Sequence, residues 1–390
     1  ELVKTLCDWA LMQIYAPDKL PRLDFHKSGI PEDCAGTVVT SVLLSSKQSC
    51  REAAERLKEN YLRNRDEALS FVLLADFKGG AAENQAEDGF LASCIKEEIM
   101  ALCAKYGERF CVLLRRRSYA PSEDAYMGWE RKRGAITELV RLIKGEEHTF
   151  RYQFGALGRV KKSKYLIALD ADTELLMDSA RRMIEAMAHP LAQPVIDGEK
   201  GIVAAGYGGM VPIVNTDLAS ANKSLFARIM AGYGGVSTYD ALVSSTYQDV
   251  FGVSIFSGKG IVDIDAYYRL LNHRFPEGQV LSHDILEGAF LRCGLLSDVA
   301  VCDEYPSTPA AFYKRLERWV RGDTQNLYYL KKTMNNEAGE KEENPLSPLS
   351  RFQIADNLRR ALTPAMSLIA LWIAAFVPLA AGSGVYLWVL

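Results

Sequence analysis

Two carboxylates follow directly on an apolar run near the middle of the chain. Residues 165–172 read Y-L-I-A-L-D-A-D, so Asp170 and Asp172 end a segment with the composition of a buried strand, and a helix-like run follows. In open α/β sheets, ligands bind at the carboxyl ends of strands. Close carboxylates repel each other unless a cation lies between them, and oxygen ligands suit Mg²⁺ or Mn²⁺. The stretch predicts a divalent metal site at Asp170 and Asp172. The alternative is a solvated strand end at which Asp172 or Thr173 caps the next helix.

A second acidic group lies near another predicted helix start. In L-S-H-D-I-L-E-G, residues 281–288, His283 adjoins Asp284, and Asp284 and Glu287 are spaced to share one helix face. A carboxylate there has the chemistry of a general base, with helix capping as the alternative. Asp76 follows the second predicted strand and, taken alone, is an ordinary polar loop residue.

Basic residues begin the helix predicted in the stretch M-G-W-E-R-K-R-G. Lys132 and Arg133 precede an amphipathic run. The free amides and the dipole of a helix start attract anions, and cations strengthen this attraction. The two side chains are therefore candidate phosphate ligands, with a solvated basic turn as the alternative.

A single lysine, Lys259, stands between two glycines in F-S-G-K-G, residues 256–260. Glycines let a backbone approach a ligand closely. The stretch does not match the phosphate-binding loop pattern, however. On its own it predicts a plain turn with an exposed lysine.

The stretch F-Y-K-R-L-E-R-W-V-R-G-D, residues 312–323, is dense in arginine and aromatic residues. Arg315 and Arg318 lie three residues apart, and Trp319 adjoins them. Guanidinium groups suit phosphate, and an indole face suits a sugar or a base. An amphipathic surface helix with a buried tryptophan is the alternative.

Size and composition limit the classes of protein. The chain has 390 residues with a net charge of −3, enough for one large or two ordinary domains and unlike a general nucleic-acid binder. Its eight cysteines contain no C-x-x-C pair and it has five histidines, so no zinc site of the usual spacing is predicted. Scattered thiols predict reduced core residues in a domain that faces the cytoplasm.

Alternating strands and helices must position the candidate residues. Thr37–Ser45 is a β-branched run, Arg51–Asn64 an amphipathic helix and Phe71–Leu74 a second strand. This strand–helix–strand unit predicts a parallel, right-handed crossover in an α/β, nucleotide-binding type of fold.

Both ends of the chain are apolar. Residues 1–30 predict a short membrane-proximal helix and a linker, and residues 31–340 a cytosolic domain. Residues 341–360 predict a linker and an interfacial helix. Residues 361–390 carry no charge and predict a truncated transmembrane segment, with a buried terminal helix as the alternative. The chain begins with Glu1, and we interpret it as a piece of a longer protein.

The order of these motifs resembles that of processive, membrane-bound family-2-like glycosyltransferases of the cellulose synthase type, which carry D, D-x-D, T-E-D and Q-x-x-R-W. A closer resemblance is to the glycosyltransferase domain of cyclic β-1,2-glucan synthases, and it covers about residues 20–375. It rests on the stretches M-G-W-E-R-K-R-G, L-D-A-D-T, Y-Q-D-V-F-G, F-S-G-K-G-I-V-D-I-D-A, F-P-E-G-Q-V-L-S-H-D-I-L-E-G, L-S-D-V, E-Y-P-S, R-W-V-R-G-D-T-Q and F-Q-I-A-D-N-L-R-R. His283 replaces the Glu of T-E-D and Arg315 the Gln of Q-x-x-R-W, and both departures fit the narrower family.

The resemblance implies a glycosyltransferase type A fold, Rossmann-like with a mostly parallel sheet flanked by helices. It also implies inverting transfer of glucose from UDP-glucose to a growing β-1,2-glucan. Asp284 would be the general base, Asp172 and Asp170 would hold Mg²⁺ or Mn²⁺ at the departing diphosphate, and Asp76 would face the uridine. The remaining substrate-binding residues would be Lys132, Arg133, Lys259, His283, Glu287, Arg315, Arg318 and, stacked on the acceptor sugar, Trp319.

The implied partners are UDP-glucose, a glucan acceptor, membrane lipid and further domains of a larger synthase, with no nucleic acid. The implied location is the bacterial inner membrane, with the catalytic domain on its cytoplasmic side. Three alternatives stay open: a membrane synthase for another sugar or linkage, a non-catalytic nucleotide-sugar-binding domain, and a soluble nucleotidyltransferase-like enzyme.

Overall fold

A computed structural model describes residues 2–231 and 245–376. Its strands are β1 (Gly36–Leu44), β2 (Leu69–Phe77), β3 (Phe110–Arg115), β4 (Ser118–Ala120), β5 (Ala125–Met127), β6 (Phe150–Gly155), β7 (Tyr165–Leu169), β8 (Thr173–Leu175), β9 (Val195–Asp197), β10 (Ile202–Ala205), β11 (Gly209–Thr216), β12 (Gly260–Asp263), β13 (Cys293–Asp303), β14 (Thr333–Asn335) and β15 (Lys341–Glu343). Its α-helices are α1 (Leu2–Ile14), α2 (Lys47–Arg63), α3 (Asp88–Tyr106), α4 (Arg131–Lys144), α5 (Leu157–Val160), α6 (Ser179–Met187), α7 (Leu218–Ala221), α8 (Leu225–Met230), α9 (Thr246–Phe251), α10 (Ile264–Leu271), α11 (Asp284–Leu291), α12 (Pro309–Asn326) and α13 (Pro348–Phe376).

The central sheet of the described residues has nine strands in the order β6-β3-β2-β1-β7-β12-β11-β13-β8. Strands β3, β2, β1 and β7 run parallel to one another, and so do β11 and β13. Strands β6, β12 and β8 run antiparallel to their neighbours. The α/β fold class and the parallel β1–α2–β2 unit are confirmed, and the sheet fits a Rossmann-like glycosyltransferase fold.

Successive residues of the parallel strands face opposite sides of the sheet. Val38 and Phe71 belong to one apolar core and Val39 and Val72 to the other. Helices α2, α3 and α6 cover the first face, whereas α4, α10 and α11 cover the second. Burial on both faces explains why these strands are nearly continuous apolar runs.

The eight cysteines all lie within the described residues and are free thiols. Six are buried, Cys302 is partly buried and Cys7 is exposed. Most therefore agree with the prediction of reduced core residues.

Three segments differ from expectation. The linker before residue 30 packs on the domain, since Phe25 is buried and its amide donates to Glu185 at 2.9 Å. The predicted linker from residue 341 begins with β15, which forms an antiparallel hairpin with β14. Helix α13 begins before residue 361 and continues past it.

None of the helices in ranges 2–231 and 245–376 has both the length and the apolar character needed to cross a membrane. Residues 377–390 of the predicted transmembrane segment lie outside the described residues, as do the glycine-rich residues 232–237. The transmembrane segment therefore stays a prediction.

Candidate functional site

Strand direction gathers the acidic residues at one edge of the sheet. Asp76 lies near the carboxyl end of β2, Asp170 directly follows β7, and Asp303 ends β13. Strand β12 runs the opposite way and pairs its first residue, Gly260, with Ala168 of β7. Lys259 therefore enters the same edge from the amino end of β12.

Asp170 is held by two lysines. Its Oδ1 pairs with Nζ of Lys132, and its Oδ2 lies 3.1 Å from Nζ of Lys259. The ammonium of Lys259 also lies 2.8 Å from Oδ2 of Asp303, whose Oδ1 accepts a 2.6 Å hydrogen bond from Thr173. Burial opposes ionisation of Asp170, but Lys132 and Lys259 outweigh it and hold its pKa well below the usual range.

The prediction that Lys259 is an exposed lysine in a plain turn is wrong, because this residue is only 8% exposed. The glycine before it explains the geometry: Gly258 has φ +78°, and a Cβ there would lie 2.5 Å from Oδ1 of Asp284. The carbonyl of Gly258 accepts a 2.6 Å hydrogen bond from Lys132. Gly258 thus joins the Asp170 cluster to the candidate base.

Asp172 pairs with helix α12. Its Oδ2 lies 2.8 Å from Nη2 of Arg315, whose guanidinium stands 6.0 Å from the ring centre of Trp319. Trp319 is exposed, which contradicts the buried-tryptophan alternative, and Arg318 is exposed beside it. Gly322 lets α12 pack closely on the residues that precede Asp284, since a Cβ at Gly322 would lie 2.4 Å from Cβ of Ser282.

Asp284 begins α11 with an imidazole beside it. Nδ1 of His283 lies 3.3 Å from Oδ1 of Asp284 and 3.1 Å from Oε1 of the buried Glu287. Burial raises the pKa of Asp284, and the positive charges of His283 and Lys132 oppose this rise. A carboxylate with a raised pKa next to the cation cluster suits a general base.

Asp76 lies apart from these contacts, in a fork with Arg115. Nε and Nη2 of Arg115 donate to its two carboxylate oxygens at 2.8 and 2.7 Å. Arg115 also donates to the carbonyls of Trp129 and Arg131, at 2.6 and 2.7 Å, in the loop that leads to Lys132. Burial opposes the charged form, but Asp76 outweighs it and raises the pKa of Arg115 further.

Arg133 is a predicted phosphate ligand whose contacts lie away from the Asp170 cluster. It is 5% exposed and its Nη2 lies 2.8 Å from Glu130. Its guanidinium also lies 5.7 Å from the ring centre of Phe275. Its charge still reaches His283: burial and, to a smaller extent, Arg133 oppose the raised pKa of that imidazole, which Glu287 and Asp284 bring about.

Two residues of the site were missed in the sequence. Asp303 and Arg115 gave no motif, because each is defined by a partner that is distant in the chain. For Arg115 a signal existed, because it directly follows the apolar run 110–114 and therefore lies where a strand ends.

The oxygen ligands of Asp170 and Asp172 fit Mg²⁺ or Mn²⁺. Such an ion is often held by one or two carboxylates together with substrate phosphates and water. Asp172 uses Oδ2 for Arg315, and its side chain is 30% exposed, so that it remains accessible. Among the described residues, one group of three potential ligands lies within 4.8 Å, namely His283, Asp284 and Glu287. There a protonated imidazole can itself be the positive partner of the two carboxylates.

Comparisons with known proteins bear on the family of the chain. No protein-family model matches the chain. It is 35% identical over 366 residues, 93% of its length, to the cyclic beta-(1,2)-glucan synthase NdvB of Rhizobium meliloti (strain 1021). The match spans 12% of that relative's length. Over those 366 residues, the similarity supports a glycosyltransferase domain of the cyclic β-1,2-glucan synthase family.

Proposed function

We propose that this chain transfers glucose from UDP-glucose to a growing β-1,2-glucan with inversion of the anomeric configuration. The observation that carries the proposal is the arrangement around Gly258. Lys132, which pairs with Asp170, donates to the Gly258 carbonyl, and the Asp284 carboxylate packs on the Cα of the same glycine. A candidate base and a group of charged side chains are therefore neighbours.

The donor would lie along the edge of the sheet. Asp76, fixed by Arg115, would face the uridine. Lys132, Lys259 and Arg315 would supply positive charge for the diphosphate, and Arg318 is exposed on the same helix as Arg315. Fixed cations at the position where negative charge develops are a large source of catalysis.

Asp172 and Asp170 would hold Mg²⁺ or Mn²⁺. When bound, the ion would stabilise the negative charge on the departing UDP.

The acceptor would approach from the Asp284 side. Its hydroxyl would give its proton to the Asp284 carboxylate as the oxygen attacks the anomeric carbon, and the bond to UDP would break with its electron pair. Trp319 is exposed on α12 and would stack on the acceptor sugar. The larger synthase, its membrane and its other domains would supply the acceptor.

The test is Asp284→Asn in the full-length parent synthase. We expect UDP release and glucan formation to fall by at least about 10²-fold, because a positioned base contributes about that much. UDP binding should change little, since the phosphate cations are untouched.

Asp265→Asn is the matched control, because this carboxylate is exposed at the opposite edge of the sheet and should leave turnover unchanged. Normal turnover in Asp284→Asn would refute the assignment of the base. Linkage analysis of the product checks the β-1,2 bond, and a different linkage would refute that part of the proposal.

A further inference from the structure

A buried carboxylate, that of Glu287, lies next to the candidate base. Within the site it contacts His283 and not the cations proposed to bind the donor. Glu287 is 3% exposed, and its Oε1 accepts a 3.2 Å hydrogen bond from Tyr267. The hydroxyl of Tyr267 in turn lies 3.2 Å from that of Thr137 on α4, and both residues are buried. Glu287 is thus anchored from two other helices, which fixes the position of its charge.

The imidazole of His283 lies between this anchored carboxylate and Asp284. Its Nδ1 is at nearly equal distance from the two, 3.1 Å from Glu287 and 3.3 Å from Asp284. A group with one nitrogen facing two carboxylates is favoured in its positively charged form. Burial alone lowers the pKa of His283, but Glu287 and Asp284 outweigh it and raise the pKa above its ordinary value.

Other charges also act on this group. Arg133 and Lys132 belong to α4, Asp170 follows β7, and Asp323 belongs to α12; Tyr267 of α10 contributes a hydroxyl. Arg133 disfavours the imidazolium, whereas Lys132 favours the ionised form of Asp284 and Asp170 opposes it. Burial raises the pKa of Asp323, and Asp284 adds a smaller contribution in the same direction. The two contacts of Nδ1 with carboxylates are the shortest distances described for His283, so they dominate.

We propose that His283 and Glu287 are positioning residues for Asp284: Glu287 keeps His283 protonated, and the imidazolium fixes Oδ1 of Asp284 and keeps that partly buried carboxylate ionised. The proposal rests on Asp284 being the base of the proposed transfer. It also gives a physical reason for histidine at this position. A glutamate there would place a third negative charge beside Asp284 and Glu287.

The first test measures the imidazole directly. With ¹³C-labelled histidine, the His283 resonance is assigned by its loss in His283→Gln and titrated in the unmodified chain and in Glu287→Gln. We expect Glu287→Gln to lower the pKa of His283 by about one unit or more, as removal of a close opposite charge does. An unchanged His283 pKa would overturn the proposal, whether or not the chain is active.

The second test is the pH profile of transfer in the full-length parent synthase. Removing the imidazolium raises the pKa of Asp284, so the acidic limb of kcat in His283→Gln should move to higher pH. The shift in Glu287→Gln should be smaller, because the loss of the Glu287 charge itself lowers the pKa of Asp284. Turnover should then recover at alkaline pH, which a misfolded variant would not do. His273→Gln is the matched control, because this histidine is exposed and pairs with Glu337 outside the site.

The outcomes separate the two proposals. An inactive Asp284→Asn with unshifted profiles in both positioning variants would overturn the role of His283 and Glu287 alone. An active Asp284→Asn would overturn the base itself. A loss of activity in Glu287→Gln that is the same at every pH would show that Glu287 is only structural.

Discussion

Arg115→Met tests whether Arg115 stabilises Asp76 and the adjoining loop at the edge of the sheet where the donor would bind. Arg115 is 1% exposed and makes four hydrogen bonds, two to Asp76 and two to the carbonyls of Trp129 and Arg131. A methionine at this position keeps much of the volume of the arginine side chain and removes all four hydrogen bonds. Asp76 and the buried Glu138, which lies 4.0 Å from Arg115, would then face each other without a positive partner.

Breaking a buried ion pair by removing one partner costs about 3–5 kcal/mol, chiefly because it leaves an uncompensated charge. The loop adds to the cost. Glu130 and Arg131 both have φ near +51°, a left-handed conformation that residues other than glycine rarely adopt. Arg115 contacts the carbonyls on both sides of Glu130. We therefore expect Arg115→Met to lower the free energy of unfolding by about 3–5 kcal/mol.

The assay is urea denaturation followed by circular dichroism, together with calorimetry of UDP binding. Arg116→Met is the matched control, since Arg116 is the exposed neighbour and should change stability by less than about 0.5 kcal/mol. The loss of stability in Arg115→Lys should fall between those of the two methionine variants, because an ammonium keeps the charge but not the two-pronged hydrogen bonding to Asp76. UDP should bind more weakly to Arg115→Met, since the loop places Lys132. Equal losses in Arg115→Met and Arg116→Met would refute the reasoning.

Two further predictions concern buried charges. Lys259→Met leaves Asp170 and Asp303 without their shared cation, so we expect glucose transfer to fall by at least about 10²-fold. Lys200→Met is the control, because Lys200 is exposed and its loss should leave transfer unchanged. Equal activity in the two variants would argue against a role for Lys259. Burial raises the pKa of Asp323 to about 6, above the value of about 3.9 in the unfolded chain. The contribution of the protonated Asp323 to the free energy of unfolding is therefore complete below pH ~4. It is lost as the pH rises through 6, by at most ~3 kcal/mol. Asp323→Asn should remove that loss in urea titrations at pH 4.5 and 7.5, and an unchanged pH dependence would contradict the burial argument.

The sequence predicted the elements whose signals are local. The run before Asp170 is apolar throughout because β7 is buried on both faces, and such a run followed by a polar turn is readable without tertiary information. The same holds for the helix that carries Arg315 and Trp319, although the exposure of Trp319 was not settled by its spacing. These local signals placed Asp170 at the carboxyl end of a buried strand, where the structure also has it.

The sequence did not predict which residues neutralise those carboxylates. Lys259 and Asp303 are 44 positions apart, and they meet only because β12 runs against β7 while β13 runs with it. A lysine between glycines gives no indication of that reversal. Arg115 likewise depends on Asp76 of the neighbouring strand, a pairing that the β2–β3 register brings about.

The pairings of the site form a balanced set, which bears on how it could accept a diphosphate. Three carboxylates, Asp170, Asp172 and Asp303, face three cations, Lys132, Lys259 and Arg315. A diphosphate adds negative charge to this set, so its binding requires either that cations turn from carboxylate to phosphate or that a divalent ion enters with it. Lys259 is buried and bridges Asp170 and the buried Asp303, whereas Lys132 and Arg315 have side chains that are 19% and 21% exposed. The residues suited to such a change of partner are therefore Lys132 and Arg315, and Lys259 is the cation suited to remain and keep Asp170 and Asp303 together.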